Sequence, residues 1–152
     1  MIRSKGEYEA ALQRLAEDEQ NMAAEEDALR ASGLTDEQVE RGMQPLRGFH
    51  LQLRDDIDWY DRAKRGDIGI FHSLTALGRG LIALRIARDL TQAELARRLG
   101  VDESQVSRDE RNEYHGITLE RAQRVIDALR WQQSTQFTEE HTSADERTLA
   151  KV

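Results

Sequence analysis

Along residues 7–31, apolar side chains recur at Tyr8, Leu12, Leu15, Met22 and Leu29, and Glu19 and Glu26 fill the seam positions left over. That heptad rhythm, set among Ala, Glu, Gln, Leu and Arg, predicts a helix with one apolar seam. The two acidic interruptions predict a seam that packs loosely or carries a partner's basic groups. Ser32-Gly33 ends the helix, because Gly33 can take a positive φ. Thr35 then stands three residues before Gln38, the capping-box spacing, with Leu34 and Val39 at the staple positions on either side. A second seam follows at Val39, Met43, Leu46, His50, Leu53, Ile57 and Tyr60, spaced alternately four and three. It stays in phase across Pro45, so a kink or short break is expected there and not a change of register. Two helices joined by a short loop lie antiparallel. Residues 1–65 therefore read as a coiled-coil-like α-helical hairpin. Its open seam, with Val39, Met43, Leu46, Leu53, Ile57, Trp59 and Tyr60, is expected to hold a second copy of the chain or a protein partner.

The glycines of Arg65-Gly66-Asp67-Ile68-Gly69 mark a break, and the linker is placed at 66–72. A compact helical domain is expected at 73–131. The polar residues 132–152 read as a tail in which 138–151 has the pattern of a short helix. Within the second domain, Thr91 with Glu94 repeats the capping-box spacing. Leu95, Ala96 and Leu99 line one face, Gly100 stops the helix, and Asp102 can cap the next. Val106 points inward from that next helix. Helix, glycine turn, helix is the helix-turn-helix plan.

The residues that carry this plan are Leu84-Arg85, Thr91-Gln92-Ala93-Glu94-Leu95-Ala96, Leu99-Gly100-Val101 and Ser104-Gln105-Val106-Ser107-Arg108-Asp109-Glu110. Residues 74–130 resemble the phage repressor/Cro-like (xenobiotic-response-element) helix-turn-helix family. The resemblance implies an all-α, lambda-repressor-like bundle that binds double-stranded DNA, with residues of about 102–110 lying in the major groove. It places Glu103, Ser104, Ser107 and Arg108 at base edges, Arg108 being suited to guanine O6 and N7. Gln92, Gln105, Arg111 and Asn112 fall where phosphate is met. Arg85 and Glu110 match a structural ion pair of the family. One position departs from the pattern: Asp109 stands where the family has an apolar residue. A carboxylate facing a core needs a partner, and a nearby Arg or the backbone donors of Tyr114-His115-Gly116 are the candidates.

Composition sharpens this picture. One Pro in 152 residues agrees with long helices. The absence of Cys excludes disulfides, thiolate zinc sites and Cys nucleophiles. No apolar run is long enough to cross a membrane, and the N-terminus leads into an acidic helix and not an apolar signal region, so a cytoplasmic protein is expected. The net charge of −7 argues against nucleic acid only until it is divided. Residues 1–72 carry 10 basic and 16 acidic side chains, whereas 73–131 carry 10 and 9, every base there being Arg.

His50, His72, His115 and His141 show no metal-ligand spacing. Ser73, Ser104 and Ser107 lack a Gly-x-Ser-x-Gly elbow. Gly78-Arg79-Gly80 is too short for a phosphate loop, and Asp55-Asp56-Ile57-Asp58 reads as a solvated acidic face. No enzyme, metal or cofactor is expected. The expected function is a dimeric transcriptional repressor on a palindromic operator. The alternative is an antitoxin-like protein, whose acidic hairpin binds a basic toxin while the second half binds operator DNA.

Overall fold

The computed structural model describes residues 1–136, and the expected short helix at 138–151 lies outside the described residues. The regular elements of the described residues are all helical, without strands: α1 (Lys5–Ala31), α2 (Asp36–Lys64), a 3₁₀ turn (Leu74–Ala76), α3 (Leu77–Ala87), α4 (Gln92–Leu99), α5 (Glu103–Arg111) and α6 (Leu119–Ala128).

The hairpin forms as its punctuation demands. Ser32 closes α1, with its N–H donating to the Ala28 carbonyl at 3.1 Å, and Gly33, whose N–H donates to the Arg30 carbonyl at 3.0 Å, turns the chain at φ 82°. Thr35 opens α2 with a complete capping box: its N–H donates to Gln38 Oε1 at 2.9 Å, and Gln38 N–H returns to Thr35 Oγ1. The helices run antiparallel. Tyr8 stacks on Tyr60 at 4.7 Å between ring centroids near one end, and Arg47 reaches Glu26 toward the other. α2 continues through Pro45 without a break in the helix. The lost backbone hydrogen bond falls on an exposed stretch of helix, where water can satisfy the freed carbonyl.

Much of the seam of α2 is covered within the chain itself. Val39, Met43, Ile57 and Tyr60 are at most 6% exposed. Val39 and Met43 are buried against α1, while Ile57 and Tyr60 enter the main core. Leu53 and Trp59 are half-buried, and Leu46 alone of the seven is exposed. The cause is proximity: a four-residue connection presents one seam to the other at a far higher effective concentration than a second chain can reach.

One core joins hairpin and C-terminal helices. Ile2, Ala11, Ile57, Tyr60 and Ala63 lie in the same buried cluster as Leu81, Ile82 and Ile86 of α3, Leu95 of α4, Val106 of α5 and Val125, Ile126 and Leu129 of α6. Each large side chain so buried contributes about 1.5–3 kcal/mol. Residues 66–72 thus divide the sequence without dividing the core. Ile68 packs on the cluster, and the Phe71 ring lies over Gly80, where a Cβ would come within 2.8 Å of Phe71 Cε2. Lys64 at the end of α2 pairs with Asp89 in the turn after α3.

Gly78 is a second notch in α3. A Cβ there would fall inside the carbonyl oxygen of Glu113, a backbone atom that cannot swing away. Gly78→Ala is therefore expected to destabilise by about 3 kcal/mol or more. Gly48, exposed in α2 with nothing near its missing Cβ, is the opposite case: Gly48→Ala is expected to stabilise by about 0.5–1 kcal/mol. Thermal denaturation of the two variants beside the parent checks both signs.

Candidate nucleic-acid interface

α4 and α5 are short, and their ends are set by side chains. Thr91 caps α4 and Glu94 closes the box, with Thr91 N–H donating to Glu94 Oε2 at 2.7 Å. These bonds, first from the Thr91 backbone and then from its hydroxyl, hold the Glu94 carboxyl below the usual range. Gly100 leaves α4 at φ 68°, in the left-handed region that suits glycine. Asp102 caps α5 by accepting from Ser104 N–H at 2.8 Å, and its contacts with Ser104 lower its pKa in the same way. Val106 and Leu95 turn inward and are fully buried.

Behind α5 lies a buried ion pair. Arg85 of α3 is 3% exposed and Glu110 of α5 is 0% exposed. Arg85 Nε donates to Glu110 Oε1 at 2.5 Å and Nη2 to Oε2 at 2.7 Å, a two-pronged contact. Both groups have further partners. Arg85 Nη1 donates to the Leu90 carbonyl at 2.6 Å, Nη2 also donates to the Arg3 carbonyl at 2.7 Å, and Glu110 Oε2 accepts from Gln92 Nε2 at 2.8 Å. The network ties α3, the start of α4, the end of α5 and the segment before α1 together. The same buried carboxylate, after burial itself, raises the pKa of the neighbouring Tyr114 phenol.

The front of α5 is open. Glu103, Ser104 and Arg108 are exposed, Ser107 is half-buried, and Arg111 and Asn112 are exposed beyond them. Arg108 makes only a loose bond to its own helix, Nε to the Ser104 carbonyl at 3.3 Å. Gln92 and Gln105 are half-buried and already engaged. Gln92 gives an amide hydrogen to Glu110. Gln105, with its amide oxygen turned to Arg121, accepts from Nη2 at 2.6 Å and Nη1 at 2.8 Å; the opposite orientation would set donors against donors.

Asp109 finds the arginine partner that its sequence position required: Arg121 Nη2 donates to Oδ2 at 2.5 Å. Arg121, which sequence reasoning left unnamed, also borders a groove of about 550 Å³ between the end of α5 and the start of α6, with Arg108, Asn112 and Thr118. The only signal for it was the misplaced carboxylate itself. Among the described residues no cluster of three His, Asp or Glu is arranged for a metal, and no helix is long and apolar enough to cross a membrane.

Residues 81–130 match the family model described as helix-turn-helix. The match spans 50 of the 152 residues, so that stretch is similar to the helix-turn-helix family, as the sequence motif also is. It supports a DNA-binding transcription regulator in general. Comparison with curated proteins and with solved structures gives no significant match.

Glu110→Gln leaves Arg85 buried without a counter-charge and is expected to cost about 3–5 kcal/mol. The double replacement Arg85→Met with Glu110→Leu should lose less, which urea denaturation of the three proteins measures. The lowered carboxyls of Glu94 and Asp102 contribute stability that is present above the ordinary carboxylate range and is lost as pH falls through their depressed folded values. Melting temperature should therefore drop below about pH 4. Asp102→Asn, which can still cap but does not titrate, should make that fall shallower.

Proposed function

We propose that the chain is a sequence-specific DNA-binding transcriptional regulator that acts as a homodimeric repressor. The observation that carries this reading is the two-sidedness of α5. Its back is locked by Glu110, while Glu103, Ser104 and Arg108 stand exposed at its front. A rigid helix with a free arginine suits bidentate contact with guanine, and Ser104 can donate or accept at several base edges. Arg111, the last residue of the helix, and Asn112, which follows it, suit phosphate contacts. Gln92 and Gln105 would reach phosphate only by sharing or giving up their present partners.

The even balance of 10 basic and 9 acidic side chains at 73–131 leaves little sequence-independent attraction to DNA. Affinity must then lean on a few placed contacts and on pairing of two reading heads, about 34 Å apart, over a palindromic site. Of the hairpin residues expected at a dimer contact, Leu46, Leu53 and Trp59 keep some accessible surface for it. A second reading is favoured by the hairpin's acidity and by Phe49, 71% exposed on α2: an antitoxin-like chain whose first half binds a basic protein. Co-purification with a small basic protein encoded beside the gene would favour that reading.

Selection of bound sequences from a random DNA pool tests the first. The full chain should enrich a two-fold symmetric site with half-sites one helical turn apart. Arg108→Ala should weaken binding to that site by about 10- to 100-fold while leaving binding to random DNA nearly unchanged. Failure of the parent to enrich any sequence would sink the reading.

A further inference from the structure

We propose that Arg121 is a positioning residue for the reading helix: its guanidinium bridges Gln105 and Asp109 of α5 and sets the rotation at which that helix presents Ser104 and Arg108. The inference rests on the DNA-reading role proposed above. Three observations carry it.

The first is that both charges break local rules. Asp109 is an anion in the last turn of α5, and Arg121 is a cation in the first turn of α6. Each sits at the helix end whose dipole disfavours it, and each is half-buried. Neither residue is explained by its own helix. Their mutual bond at 2.5 Å explains both.

The second is how Arg121 uses its hydrogens. Nη2 serves Asp109 and Gln105 together, and Nη1 serves Gln105. The two acceptors are four residues apart and so share one side of α5. The root of the arginine is fixed as well, because its backbone N–H donates to the cap residue Thr118 at 3.3 Å. The fork is turned to the helix and not to solvent, which distinguishes it from Arg108.

The third is geometric. Successive residues of a helix lie about 100° apart around its axis. Glu110, held by Arg85 of α3, pins one side of α5. Asp109, held by Arg121 of α6, pins a second side. With Val106 buried at the back, a polar pin on one side still leaves a short helix room to rock, whereas pins on two sides fix its rotation. Arg108 is the next residue round and inherits that setting.

The experiment uses the full chain with Arg121→Ala, Arg121→Lys and the double replacement Asp109→Leu with Arg121→Met. It reads amide hydrogen exchange across 103–111 in the free protein, the ratio of affinities for selected and random DNA, and the salt dependence of binding. Arg121→Ala should speed exchange in α5 and lower the affinity ratio about tenfold, with the salt slope unchanged. Lysine, a single point of charge, should fall between. The double variant should restore the ratio, because an apolar pair also joins α5 to α6. An Arg121→Ala protein that keeps both the ratio and slow exchange overturns the inference, and continued sensitivity to Arg108→Ala shows that DNA reading still stands. A salt slope reduced by about one with the ratio kept makes Arg121 a phosphate contact and also overturns it. If the parent chain prefers no sequence, the DNA reading falls, and hydrogen exchange in the free protein alone decides whether Arg121 holds α5.

Discussion

The rest of the structure hangs on the buried pair between Arg85 and Glu110. Desolvating two charges costs several kcal/mol each, and their attraction offsets this only when every remaining donor and acceptor is also met. Here the two-pronged contact is supplemented from three other places in the chain: the Leu90 and Arg3 carbonyls and the Gln92 amide. An apolar pair in the same space would hold helices together without saying how they are turned. The fork of an arginine does say, because both prongs must find oxygen at once. The pair therefore fixes where α5 stands relative to α3 and α4, and it does so at a site that water cannot loosen.

The hairpin is part of this arrangement and not an appendage to it. The Arg3 carbonyl completes the hydrogen bonding of Arg85, Ile57, Tyr60 and Ala63 enter the core shared with α3 to α6, and Lys64 pairs with Asp89. A 50-residue helix-turn-helix stretch has little core of its own. Packing the near end of a long hairpin against α3 enlarges that core, while the far end is held by Val39 and Met43 against α1 alone. Anything that tilts the hairpin would therefore be felt at Arg85.

What was legible in the sequence was local. The caps at Thr35, Thr91 and Asp102 and the glycine stops at Gly33 and Gly100 need only neighbours in the chain, and each stands where its spacing put it. The helix-turn-helix plan followed from them, and Arg85 with Glu110 followed from the family resemblance. The rest depended on distance. Periodicity showed that residues 39–60 carry an apolar face, but not whether a second chain or the same chain covers it. The pattern is identical in both cases, and the short loop decided for the same chain. Asp109 announced that it needed a partner without naming it, since Arg121 lies across a turn and on another helix. The Arg3 carbonyl gave no signal at all, because a backbone oxygen looks the same at every residue.

Several departures from local rules fall at the joint between α5 and α6, beside the single positive-φ residues Asp89 and Arg130 elsewhere. After α5, Glu113 and Tyr114 both take left-handed φ, at 47° and 54°, although neither is glycine. Such residues cost about 1–2 kcal/mol each and persist only where the surroundings over-determine them. The surroundings are on hand: the Glu113 carbonyl fills the notch at Gly78, Tyr114 N–H donates to the Asp109 carbonyl at 2.7 Å, and Tyr114 is only 5% exposed. The misplaced charges of Asp109 and Arg121 flank the same turn. A sequence chosen only for stability would have an apolar residue at 109 and glycine at 113 or 114. The strained turn and the cross-helix pair instead make the joint between α5 and α6 stiff, and stiffness at that joint is what a single exposed helix needs if a few side chains are to meet their targets in fixed register.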